Sequence, residues 1–136
     1  MFKSVLFPID QTRESRHAAE LVTSLVKSYS STLTLLSVVE FPEDRKGDDQ
    51  PELPSAEAIA ELLNNARTLF KNEGIEAEVI ERQGMPAFVI CDVADDLDAD
   101  LIVMGSRGIG LTEEGLSDSV SNRVINLSPC PVLVVP

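Results

Sequence analysis

Tryptophan is absent from this chain, and its aromatic residues amount to five phenylalanines and one tyrosine. A core of stacked rings is thereby excluded, and Leu, Ile, Val and Ala must fill the interior. Basic residues are also scarce: 11 Lys and Arg stand against 23 Asp and Glu, for a net charge of −12. Nonspecific binding to nucleic acid or anionic membrane needs basic surface, so neither is expected as a partner. An anionic ligand must therefore be captured by local geometry, against the overall field. Cysteine is limited to Cys91 and Cys130, without CxxC spacing. That excludes a disulfide framework or cysteine metal cluster and suits two reduced thiols in a cytoplasmic protein. The single histidine, His17, has no nucleophile or metal partner near it in sequence, and reads as a helix-surface residue. Long apolar runs are missing too. None approaches the ~20 residues of a membrane-spanning helix, and strand-like residues from Ser4 onward leave no room for a leader peptide.

What is present is an alternation of short apolar runs and helical periodicity. The length, 136 residues, suits one domain over 1–136. Residues 4–9 (SVLFPI) form an apolar run ended by Asp10. From Ser15 to Tyr29, the positions Ala18, Leu21, Val22, Leu25, Val26 and Tyr29 recur at helical spacing. Residues 33–39 (LTLLSVV) read as a second strand, and residues 41–54, rich in proline and acid, as an acidic surface loop. Ile59, Leu62, Leu63, Ala66, Leu69 and Phe70 mark a second helix, stopped by Gly74. Residues 76–81 alternate as an edge strand should, with Ala77 and Val79 on the drier face. Pro86 opens a third helix, whose buried stripe is assigned to Phe88 or Val89, Val93 and Leu97. Two further strands, at 101–104 and 131–135, bracket a helix that opens near Ser119.

Strict β-α alternation with buried-type strands predicts an α/β protein: a three-layer domain with a five-stranded parallel sheet and four helices. Right-handed crossovers leave few topologies. In the order 3-2-1-4-5 the first and fourth strands are neighbours that flank the switch point, where open α/β sheets bind ligands. Those two strands end in the least ordinary chemistry, Pro8-Ile9-Asp10 and Met104-Gly105. After Gly105 come Gly108 and Gly110, then a helix start. Glycines let the backbone approach an anion closely, and the free N–H groups at a helix start point toward it. Other phosphate loops do not fit. Gly110 to Gly115 has the gap of a P-loop but is followed by Leu116 instead of lysine, and Gly108-Ile109-Gly110 lacks the third glycine of a dinucleotide fingerprint.

The spacing Gly105-x2-Gly108-x9-Asp118-Ser119 resembles the G-x2-G-x9-G-(S/T) nucleotide motif of the universal stress protein family, with the third glycine replaced. VLFPID, LLSVVE, GMPAFVI, ADLIVMGSRG and SVSNRVINLSPCPVLVV carry the likeness along the chain outside 41–54. The resemblance implies a cytoplasmic, regulatory, non-enzymatic homodimer that binds an adenine nucleotide (ATP, ADP or AMP) and answers to a protein partner. It places Pro8, Ile9 and Asp10 against adenine and ribose, with Val38 at the adenine edge. Met104 and Gly105 would form the floor, with Arg107 and Gly108 beside the phosphates. Ser119, Val120 and Ser121 would donate backbone N–H and hydroxyl groups to phosphate oxygens. The dimer would pair the apolar terminal strand, 132–135, with its own copy, which also covers an edge otherwise open to aggregation.

Asp118 stands against the phosphate part of that picture. As an N-cap residue its carboxylate takes the amides of the following turn, which stabilises the helix by about 1 kcal/mol. A carboxylate about 4 Å from a phosphate charge also costs about 4 kcal/mol at an effective dielectric of about 20. Glu113 and Glu114 lie in the same segment, so Arg107 and Arg123 face three acids. A magnesium ion bridging Asp118 to phosphate would reverse the sign. Two readings stay open: a nucleotide-binding regulator, and a nucleotide-independent dimeric interaction protein whose phosphate site Asp118 closes. A weak ATPase or self-phosphorylating enzyme is the third, with no base in view beyond Asp10 and Asp118.

Overall fold

A computed structural model describes residues 1–10, 13–40, 55–105 and 120–136. Nine elements alternate: β1 (Ser4–Pro8), α1 (Arg13–Tyr29), β2 (Thr32–Val39), α2 (Ala56–Asn72), β3 (Ala77–Gln83), α3 (Pro86–Asp96), β4 (Leu101–Gly105), α4 (Val120–Leu127) and β5 (Val132–Val135). The sheet order is β3-β2-β1-β4-β5, and every pair is parallel. Both match the expectation from the sequence. The acidic loop expected at 41–54 lies outside the described residues.

Two apolar layers explain why β1, β2 and β4 are almost continuously hydrophobic. On one face Val5, Phe7, Leu33, Leu35, Leu101 and Val103 pack with Ala18, Val22 and Val26 of α1 and Ile59, Leu63 and Phe70 of α2. On the other, Leu6, Leu36, Ile102 and Met104 pack with α3 and with Val124 of α4. Neighbours along a strand thus go to opposite layers, and both must be dry. The rings of Phe7 and Phe70 meet edge to face at 6.3 Å, which seats α2 over the centre of the sheet. Ser55 caps α2 by accepting a hydrogen bond from the Ala58 amide at 3.1 Å. At the foot of the sheet the Asp100 carboxylate accepts from the Lys3 and Ser4 amides at 2.9 and 3.0 Å, fastening the start of β1 beside β4.

Three details differ from the sequence reading. The buried stripe of α3 is Ala87, Ile90, Cys91, Val93 and Ala94, while Phe88 is 49% exposed and Val89 and Leu97 are only half-buried. Small Ala and Cys side chains let α3 lie close to both the sheet and α4, so the bulkier ring turns outward. Val79, expected on the drier face of β3, is 37% exposed because this edge strand has a neighbour on one side only. In α1, Leu21 and Tyr29 are exposed, and the seam narrows to Ala18, Val22 and Val26.

Candidate functional site

β1 and β4 are parallel neighbours, paired at Val5–Leu101 and Leu6–Ile102, so their C-terminal ends point to the same edge of the sheet. Pro8 closes β1 opposite Leu36 of β2 and has no N–H to donate. Ile9 continues the ladder for it, donating to the Leu36 carbonyl at 2.8 Å. That bond carries the chain straight past the strand end and sets half-buried Asp10 at the rim. Ile9 itself is 4% exposed, and its side chain belongs to the α1–α2 layer, so it turns away from the layer that holds Met104. Val38, Met104 and Val120 pack in that other layer, Met104 fully and the others in part. The fold therefore brings Pro8, Ile9, Asp10, Val38, Met104, Gly105, Val120 and Ser121 to one end of the sheet. Arg107, Gly108, Asp118 and Ser119 lie outside the described residues.

One contact at this end was not anticipated. The Ser121 hydroxyl is 7% exposed as a residue and donates to the Gly105 carbonyl oxygen at 3.0 Å. Its single proton is therefore committed to the protein, whereas the sequence reading offered it to a phosphate. The backbone N–H groups of Val120 and Ser121 belong to the first described turn of α4. They supply the positive end of its dipole. A serine in a turn carries no linear signal for such a bond, because the acceptor belongs to another strand.

Reactive side chains elsewhere are few among the described residues. Among the described residues, no three His, Cys, Asp or Glu side chains come together as a metal site. Burial pushes the Cys91 thiol above its ordinary value, with Asp92 and Cys130 adding to the effect. Burial likewise raises Cys130, opposed by a hydrogen bond from Ser128 and assisted by Asp100. Both are free thiols packed against the α3–α4 layer, poor nucleophiles at neutral pH. His17 is exposed on α1. A cavity of about 620 Å³ opens on the opposite face, between α1 and α2, and reaches the strand ends only through Ile9 and Asp10. Among the described residues its charged lining is Asp10, Glu20 and Glu73.

A model of the Universal stress protein family matches residues 1–136. The chain belongs to the universal stress protein family. Universal stress protein Sll1654 of Synechocystis sp. is 56% identical over 136 residues, spanning 100% of this chain and 87% of that protein. A universal stress protein solved in complex with cAMP superposes with a TM-score of 0.78 at 23% identity, covering 98% of this chain and 97% of its own. The universal stress protein of Archaeoglobus fulgidus in complex with dAMP gives a TM-score of 0.76 at 20% identity, with 100% of both chains covered. At those identities the two structures speak for the universal stress fold, which this chain shares from end to end. Among the described residues no helix is long and apolar enough to cross a membrane.

Proposed function

We propose that this universal stress protein is a cytoplasmic regulator that holds an adenine nucleotide across the ends of β1 and β4. It would act as one 1–136 domain, in a homodimer joined through β5, and change its contacts with a protein partner according to occupancy. The convergence of β1, β4 and the α4 start at the switch point of a 3-2-1-4-5 sheet carries this reading. Relatives of the same fold solved with cAMP and with dAMP support the ligand class.

The described residues at this end offer contacts suited to adenosine. Asp10 offers an acceptor to ribose hydroxyls, and Val38, Met104 and Val120 offer an apolar wall to a base. The α4 amides offer donors to one anionic group. The protein is read as a binder and not as an enzyme, in keeping with its family. A monophosphate suits a chain of net charge −12 better than a triphosphate does. Isothermal titration with AMP, ADP and ATP is the test. Heat with AMP, weakening toward ATP, is expected; silence with all three removes the nucleotide from the function.

The second reading keeps fold and dimer but has Asp118 close the phosphate site. Asp118 in place of the motif's third glycine favours it. On that reading Asp118→Gly creates ATP binding where the wild type has none, and equal binding by both sinks it.

A further inference from the structure

We infer that Ser121 is a positioning residue: it clips the first turn of α4 to the end of β4, so that the helix amides are aimed before any ligand arrives. The proposal rests on the nucleotide reading above for its ligand.

The clip joins two elements that only the fold makes neighbours. Gly105 is the last residue of β4 and Ser121 the second of α4. A hydrogen bond of 3.0 Å links them, and Ser121 is nine-tenths buried. Apolar packing of Val120 and Val124 holds α4 down on the sheet but leaves sliding along it nearly free. A hydrogen bond is directional, and it fixes the distance and the turn of the helix start relative to the strand end. That is the freedom which matters for a group of amides meant to converge on one anion.

The bond has a second effect. A strand-end carbonyl at the mouth of the site presents partial negative charge to an incoming phosphate, and the hydroxyl covers that oxygen. With its proton engaged, Ser121 leaves backbone N–H as the donor it can offer the ligand. Removing the hydroxyl therefore both loosens the helix start and uncovers a repulsive dipole. Both changes act in the same direction on affinity.

The test compares Ser121→Ala with Val124→Ala, a deletion in the fully buried core of the same helix. AMP affinity is read by titration calorimetry, stability by thermal unfolding, and local order by amide hydrogen exchange. Ser121→Ala is expected to weaken AMP about five- to tenfold, the scale of one lost hydrogen bond. It should also speed exchange in the first hydrogen-bonded turn of α4 but not in α3. Val124→Ala should lower the melting temperature more and leave AMP affinity within about twofold. A Ser121→Ala protein that binds AMP like the wild type overturns the positioning role while the nucleotide reading stands. A wild type silent toward AMP overturns the nucleotide reading and the ligand half of this proposal. Unchanged α4 exchange in Ser121→Ala overturns the other half.

Discussion

Gly84 shows how one residue can shape the end of the sheet where the site lies. Its φ is +149°, and a Cβ there would come within 2.8 Å of Val89 Cγ2. Its amide donates to the Val39 carbonyl at 2.8 Å, tying the start of α3 to the end of β2. The neighbour is a branched side chain in a packed layer and cannot swing clear. Gly84→Ala is expected to cost about 1–3 kcal/mol in chemical denaturation. Cys91 gives a second prediction at this scale. Its thiol is raised from an ordinary value of 9.0, chiefly by burial. The folded state therefore keeps a proton that the unfolded chain releases. The stabilisation is complete below that value and fades as pH rises toward and through the folded one. Urea midpoints should fall more steeply above about pH 9 in the wild type than in Cys91→Ala.

At the level of elements, α3 is where reading the apolar periodicity alone was only partly right. Leu, Val and Phe at helical spacing suggested a stripe through Phe88 or Val89, Val93 and Leu97; the structure buries Val93 with Ala87, Ile90, Cys91 and Ala94, and leaves Phe88 exposed. Asp92 and Asp95 follow Phe88 by four and seven residues and so share its side, a local mark of the outer face that apolar spacing alone passes over. The two assignments are separable by experiment. Ile90 is fully buried, and Ile90→Ala should lose about 2–5 kcal/mol. Phe88 is half-exposed, and Phe88→Ala should stay within about 1 kcal/mol of the wild type. Where hydrophobicity is strongly one-sided, as in α1, the seam at Ala18, Val22 and Val26 was legible, and only the exposed flanks Leu21 and Tyr29 were not.

For the whole molecule, the two edges of the sheet are unlike. β3 carries Glu78, Glu81 and Arg82, charges that discourage pairing with another chain. β5 is Val-Leu-Val-Val, with Val132, Leu133 and Val134 only half-buried on an edge that has β4 on its other side. That asymmetry supports dimerisation through β5 and not β3. Leu133 packs toward the α1–α2 layer and Val132 toward the other, whereas Val134 belongs to neither cluster. Val134→Lys is therefore expected to give a folded monomer in analytical ultracentrifugation, with Glu78→Ala still dimeric. A dimeric Val134→Lys would move the interface elsewhere.

Alternation of strand and helix, the double-faced burial of β1, β2 and β4, and the two strand ends with unusual chemistry all followed from residue order. Each is a local or periodic property, and right-handed crossovers turn such properties into few topologies. Tertiary structure decided the rest. It turned Ile9 into the far layer, left Phe88 outside the buried stripe of α3, and committed the Ser121 hydroxyl to Gly105. Those outcomes depend on distances between residues far apart in the chain, and a side chain's only proton goes to whichever acceptor the fold brings nearest.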